Sequence, residues 1–189
     1  MRPAVAWRTR LDMMTRWARS VEPTAIALNE SFYLEGPPRP EDASAHRLLA
    51  LDPDAARFFG WTIEQARSQP ASYFDEIIQQ FVREWHEGRT FNFSIRRRGD
   101  GNAVGAVEFR LSGDEANVSY LVAAELRGHG LATHALEALL TWGARELALD
   151  QVNLACHVEN VASRRVAEKC KFVFLGYEGD ELKFRREFL

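Results

Sequence analysis

Residues 121–140, LVAAELRGHGLATHALEALL, decide the fold. The stretch enters as a strand and passes through Arg127-Gly128-His129-Gly130. It leaves as a helix whose positions Leu131, Ala135, Leu139 and Trp142 share one face. Glycine is costly at a helix start, where its large conformational freedom is lost, unless something must approach the backbone closely. The first backbone N–H groups of a helix have no partner inside it, and they attract anions. Two glycines one residue apart at such a terminus predict a phosphate-bearing ligand held by main chain, although the glycines alone are also compatible with a plain tight turn.

Two other phosphate cradles can be tested against the same residues. A nucleotide P-loop needs G-x-x-x-x-G-K-[ST], and no such string occurs in the chain. A dinucleotide fingerprint needs G-x-G-x-x-G, but Thr133 stands where the third glycine belongs, and the preceding strands read as antiparallel.

Upstream, the hydrophobic period is 2. Phe91, Phe93 and Ile95 alternate with polar neighbours, as do Val107, Phe109 and Leu111, then Val118, Tyr120 and Val122. Turns are expected at residues 99–102 and 112–114. Before this meander the period is helical. A helix opens at Pro40-Glu41-Asp42, with His46, Leu48, Leu49 and Leu51 as its apolar side, and Asp52-Pro53 ends it. A short helix through Ala55, Ala56 and Phe59 follows. A longer one runs from a cap at Ser72, with Asp75 three residues on, through Phe74, Ile77, Ile78, Phe81 and Trp85 to Gly88. Short strands are expected at residues 25–28 and 31–35. Downstream come a strand (Val152, Leu154, Cys156), a helix over residues 161–170, and a closing hairpin over 172–177 and 181–188. The order β(β)αααβββαβαββ makes one mixed α/β domain.

The bulk numbers bound the function. The 189 residues suit a single domain with a sizeable core, and 46% hydrophobic with 27% charged residues is ordinary for a globular chain. A net charge of −3 argues against nonspecific nucleic-acid binding. The two cysteines, Cys156 and Cys170, show no metal-ligand spacing and read as reduced, small apolar residues, so no metal is expected. No apolar run reaches the roughly 20 residues a membrane helix needs, and a cytoplasmic location is expected. Residues 1–30 read as an extension, with a helix over about 5–20 (Trp7, Leu11, Met14, Trp17) and a short strand. Its arginines weakly resemble a transit segment, and Met13 or Met14 is an alternative start.

Arg127-Gly128-His129-Gly130-Leu131-Ala132 resembles R/Q-x-x-G-x-G/A, the acyl-CoA pyrophosphate loop of the GNAT superfamily of N-acetyltransferases. Residues 160–169, NVASRRVAEK, are similar to the N-x-x-S-x-x-V-A-E-K run of its RimJ/RimL-like branch, and the segments at 37–43 and 52–58 are similar to that branch's first helical region. The resemblance covers about residues 31–189 and implies a GNAT-like domain there, with a largely antiparallel central sheet flanked by helices. It implies acetyl-CoA as co-substrate and direct transfer to a primary amine, either a protein N-terminus or a small molecule. The main chain from Arg127 through Gly128, His129, Gly130, Leu131 and Ala132 would hold the pyrophosphate. The backbone of Tyr120, Leu121 and Val122 would pair with the pantetheine arm where the strands at Tyr120 and Leu154 splay apart. Asn160, also a good helix cap, would bond the arm, and Ser163 would lie near the thioester sulfur.

The acid and base depart from the pattern the resemblance implies. Asn117 stands where many relatives carry a catalytic glutamate, and Ala167 where many carry a tyrosine. Glu108 and Glu115 are the candidate bases, Ser163 the candidate acid, and Tyr120 and Tyr177 the fallback donors. Lys171-Phe172 replaces the usual Gly-Phe after the last helix. The short closing turn suggests an open acceptor groove, and Arg96-Arg97-Arg98 reads as a solvated run or an anion patch. A non-catalytic acyl-CoA sensor or scaffold is the alternative. The oligomeric state stays open between monomer and homodimer.

Overall fold

The computed structural model describes residues 21–112 and 115–188. The expected helix over residues 5–20 and the centre of the turn at 112–114 lie outside them. Eight strands form one sheet: β1 (Thr24–Ala27), β2 (Phe32–Gly36), β3 (Thr90–Arg97), β4 (Ala103–Ser112), β5 (Glu115–Val122), β6 (Gln151–His157), β7 (Val173–Glu178) and β8 (Glu181–Glu187). Their order is β1-β2-β3-β4-β5-β6-β8-β7. All neighbours are antiparallel except β5 and β6, which are parallel. Among the described residues six α-helices accompany the sheet: α1 (Ala43–Ala50), α2 (Pro53–Phe59), α3 (Ile63–Ser68), α4 (Ala71–His86), α5 (Leu131–Glu146) and α6 (Val161–Lys169). The chain is thus a mixed, largely antiparallel α/β domain, as the periodicities predict.

Strand alternation sends two kinds of residue to the two faces of the sheet. Phe91, Phe93, Val107 and Phe109 meet α5 in the main core, with Leu136, Leu139 and Trp142. Trp85 closes this core from the end of α4. Its ring lies 5.2 Å from Phe91 and 5.0 Å from Phe93, and its Nε1 donates to Val21 O at 2.7 Å. The opposite face of β3 carries Asn92, Ser94 and Arg96, all buried under the α1 side.

That polar face explains the arginine run. Arg96 is 1% exposed and pairs with Asp42 at 2.7 Å and Glu35 at 2.5 Å, so it is neither solvated nor free to hold an anion. Ser94 Oγ donates to the same Asp42 carboxylate at 2.7 Å. Arg97 reaches Asp100 at 3.3 Å, and Arg98 lies over the Tyr33 ring.

The helical region differs from expectation in three places. The helix expected from a Ser72 cap starts at Ala71, with Pro70 as N-cap and no side-chain cap bond. The reciprocal capping box belongs instead to α3, which was not anticipated: Thr62 Oγ1 accepts from Gln65 N at 3.1 Å and Thr62 N donates to Gln65 Oε1 at 2.7 Å. Leu48, expected on the apolar side of α1, is 71% exposed.

Candidate active site

The parallel pairing of β5 with β6 consists of Asn117 opposite Asn153 and Val118 opposite Leu154. Beyond it the strands part. Residues 119–122 keep β4 on one side and, among the described residues, no strand on the other, while β6 stays paired to β8 through His157. This is the splay expected between Tyr120 and Leu154. It leaves two strand edges whose backbone groups can pair with an inserted extended ligand.

At the end of β5 the chain makes a 3-10 turn (Ala124–Leu126) and enters the glycine loop. Gly128 and Gly130 have φ of 81° and 80°, in the left-handed region where a side chain is strained. A Cβ at 128 would meet nothing within 4 Å, and one at 130 only His134 Cε1 at 3.9 Å. Backbone conformation, not crowding by the protein, therefore requires glycine, and the space over the loop is open. Gly130 caps α5 without a side-chain bond, and no acid stands in the first turn. The leading N–H groups are thus left for an anion, aided by the dipole of a 16-residue helix. His129 is exposed, while Leu131 is buried in the core and anchors the loop; Ala132 packs beside it, partly buried. These features fit a CoA pyrophosphate.

The Arg127 side chain does not point to the cradle. Its Nε donates to Val122 O at 3.1 Å, and its two terminal nitrogens reach Asp52 at 2.6 Å and Asp54 at 3.0 Å. Asp52 Oδ1 also accepts from Ala55 N at 2.9 Å, capping α2. Although partial burial alone would raise its pKa, the Arg127 and backbone bonds outweigh it and hold Asp52 below the usual carboxylate range. Arg127 is therefore a clamp from the loop to α2, a role the sequence reading missed.

Across the split, Asn160 caps α6 by accepting from Ser163 N at 3.0 Å. The Ser163 hydroxyl lies 2.8 Å from Tyr120 Oη. Burial pushes the Tyr120 phenol well above its usual pKa, the Ser163 bond opposing only in part, so it stays protonated at neutral pH. Cys156 is buried on β6, and burial raises its thiol pKa too. Ala167 is wholly buried, and α6 is followed by Lys171 at φ 59°, so a lysine takes a left-handed position that favours glycine.

Glu108 is 4% exposed, in the middle of the sheet face opposite α5. Register places Asn92 and Ser119 on either side of it. Asn92 Nδ2 donates to Oε2 at 2.7 Å, Ser119 Oγ to Oε1 at 2.8 Å, and Arg110 lies 2.5 Å from Oε1. Glu115 is exposed at the start of β5 opposite Ser112, four residues or about 13 Å along the strand from Ser119. Asn117 is exposed beside it.

Glu108, Ser119 and Tyr120 border a partly enclosed cavity of about 290 Å³ under α1, α3 and α4. The cavity is walled by these helices on one side and open on another. Half-buried His46 also lines it; burial holds this imidazole below its ordinary pKa, with Asp42 and Glu108 opposing. Among the described residues, no group of His, Cys, Asp and Glu could hold a metal, and no helix is long and apolar enough to cross a membrane.

A split of this kind lets a thioester lie across a sheet within reach of a second substrate, and fold and site together define an acyltransferase that draws on CoA. The chain belongs to the GNAT acetyltransferase family, whose acetyltransferase domain matches residues 34–173. It is an acetyl-CoA-dependent acetyltransferase, with acetyl-CoA as co-substrate.

Solved structures share the fold. RimL, a ribosomal L7/L12 alpha-N-protein acetyltransferase in complex with coenzyme A, matches with a TM-score of 0.74 at 20% identity, over 87% of this chain and 98% of its own. The microcin C7 self-immunity acetyltransferase MccE, in complex with acetyl-CoA and AMP, matches with a TM-score of 0.76 at 18% identity, over 89% and 99%. The ribosomal-protein-S5-alanine acetyltransferase from Vibrio fischeri matches with a TM-score of 0.74 at 16% identity, over 87% and 96%. At these identities the likeness is one of fold. No curated protein matches the sequence significantly.

Proposed function

We propose that this acetyltransferase moves the acetyl group from acetyl-CoA to a primary amine, of a protein N-terminus or a small molecule, by direct attack in a ternary complex. The observation that carries this reading is the end of β5–β6 pairing at Val118 and Leu154, with the Tyr120–Ser163 hydroxyl pair beyond it and Glu108 one strand away.

The pyrophosphate rests on the N–H groups of residues 128–132, and the arm runs along residues 120–122, where the Val122 carbonyl is already taken by Arg127. Asn160 Nδ2 donates to the arm, since the side-chain oxygen is used by the cap. Glu108 takes a proton from the ammonium, directly or through a water; Glu115 stands too far along β5 for this role. The amine nitrogen attacks the thioester carbon, a C–N bond forms, and the C–S bond breaks. The Tyr120–Ser163 pair supplies the proton to the departing thiolate and is restored by the second proton that the nitrogen sheds as the amide forms. Holding both substrates together lowers the barrier without a covalent enzyme intermediate. We take residues 31–189 as the catalytic domain with 1–30 as an extension, and read the protein as cytoplasmic.

Thiol release from acetyl-CoA, followed over a panel of amines and free-N-terminus peptides, tests the proposal. Turnover with at least one acceptor is expected, with kcat reduced about 10²-fold or more by Ser163→Ala. Full activity of that variant would remove Ser163 from the acid role. Absence of turnover with every acceptor, despite acetyl-CoA binding, would overturn transfer to amines.

A further inference from the structure

We propose that the acceptor is a small primary amine carrying one aromatic or bulky apolar group, of the arylalkylamine type, with its ammonium at Glu108 and its apolar body under α1, α3 and α4. This inference rests on the amine acetyltransferase reading and narrows it.

Size sets the first limit. About 290 Å³ lies at the bottom of the range of small-molecule pockets, roughly 300–1,000 Å³. The wall sets the second. Phe59, Trp61, Phe74, Ile77 and Phe81 line the helical side. Trp61 is fixed in place: its Nε1 donates to Ala50 O at 2.8 Å and its ring stacks on Phe59 at 5.5 Å. Such a wall is ready for a flat apolar body. It offers little to a peptide, whose every further residue brings an N–H and a C=O that must find partners when leaving water.

The polar lining of the cavity is different. Two polar atoms of residues that line it, Asn92 Oδ1 on β3 and His46 Nε2 on α1, are enclosed and have no hydrogen-bond partner. Buried polar groups are nearly always paired, so two orphans on residues lining one cavity point to a missing donor. The third group is the Glu108 carboxylate. Oε1 is used by Ser119 and Arg110, whereas Oε2 receives one bond, from Asn92 Nδ2, leaving it acceptor capacity. Burial favours the neutral form of His46, so in its Nδ1–H tautomer Nε2 presents a lone pair and the ring adds no positive charge. An ammonium has three donors and no acceptor, matching these three groups. Deprotonation by Glu108 then releases the nucleophile on the side of Ser119 and Tyr120, where the split begins.

The test compares initial rates of thiol release with 2-phenylethylamine, tryptamine, ethanolamine and a tetrapeptide with a free N-terminus, at saturating acetyl-CoA. The arylalkylamines should exceed both others in kcat/KM by at least about tenfold, the scale on which an apolar pocket discriminates. Ile77→Trp, which fills the cavity, should lower kcat/KM for 2-phenylethylamine at least about tenfold, mainly through KM, with the acetyl-CoA Kd unchanged. Ile77→Ala, which enlarges it, should shift preference from 2-phenylethylamine towards tryptamine and serves if the tryptophan variant does not fold. Preference for the tetrapeptide or ethanolamine, or no discrimination, overturns the acceptor assignment while leaving acetyl transfer standing. A thermal shift with acetyl-CoA reads the other premise separately: without one, the transferase reading falls, and the acceptor assignment with it.

Discussion

Under the proposed function, the half of the molecule that faces acetyl-CoA and the half that faces the acceptor are built from different materials. The CoA half is made of main chain: two left-handed glycines, a helix start with no side-chain cap bond and a pair of strands that part after two residue pairs. The acceptor half is made of side chains: an aromatic wall on helices and a carboxylate set between Asn92 and Ser119. A backbone site recognises what every acyl-CoA shares, whereas a side-chain site can be refurnished for each acceptor. Substitutions in one half should therefore leave the other half's substrate constant nearly untouched.

The sharpest division should come from Glu108→Gln. It is isosteric and keeps the site polar but cannot take a proton, so kcat should fall about 10²–10⁴-fold while acetyl-CoA affinity stays unchanged. Single-turnover thiol release and a binding titration read the two quantities, and equal losses in both would break the division.

Next in size is a loss of stability. Arg96→Met removes the cation from a site where buried Asp42 and partly exposed Glu35 are close, and a buried charge without its partner costs about 3–5 kcal/mol. Urea unfolding should show that loss. An unchanged midpoint would mean that the acids simply protonate.

Gly130→Ala acts on the other half. A left-handed alanine costs about 1–2 kcal/mol, which should raise the acetyl-CoA Kd by about one order of magnitude with little change in acceptor KM. Calorimetric titration with CoA measures it, and a larger effect on the acceptor would put the loop in the wrong half.

The smallest effect concerns His46. The folded chain disfavours the imidazolium, while the unfolded chain protonates it near its ordinary value of 6.5. Below that pH the unfolded state binds more protons, so stability falls as pH drops through 6.5 and keeps falling down to the folded pKa. The His46→Phe variant should lack this part of the slope. Parallel pH curves for the two proteins would show that His46 titrates alike in both states.

This division also governs what can be read from sequence. The loop was legible because a left-handed backbone is a demand on residue type, and glycine announces it in the sequence. The strand and helix periods were legible for the same local reason. The acceptor cavity was not, because residues between His46 and Leu121 meet through strand register and helix docking that no local spacing reports. Glu108 could be named a candidate, but its neighbours Asn92 and Ser119 could not. Arg96 looked solvated because its partner Asp42 is 54 residues away. The capping signals show the limit even of local reading: Thr62 and Gln65 carry a true box, whereas Ser72 and Asp75 spell one that Pro70 pre-empts.

One fastening joins the halves without lining the acceptor cavity. Arg127 leaves the glycine loop and closes on Asp52 and Asp54, where α2 begins. For anyone transplanting acceptor helices between members of this family, those two acids mark the seam. A graft that begins after Asp54 inherits the recipient's own latch, whereas one cut upstream of Asp52 must bring a matching pair or leave the arginine with nothing to grip.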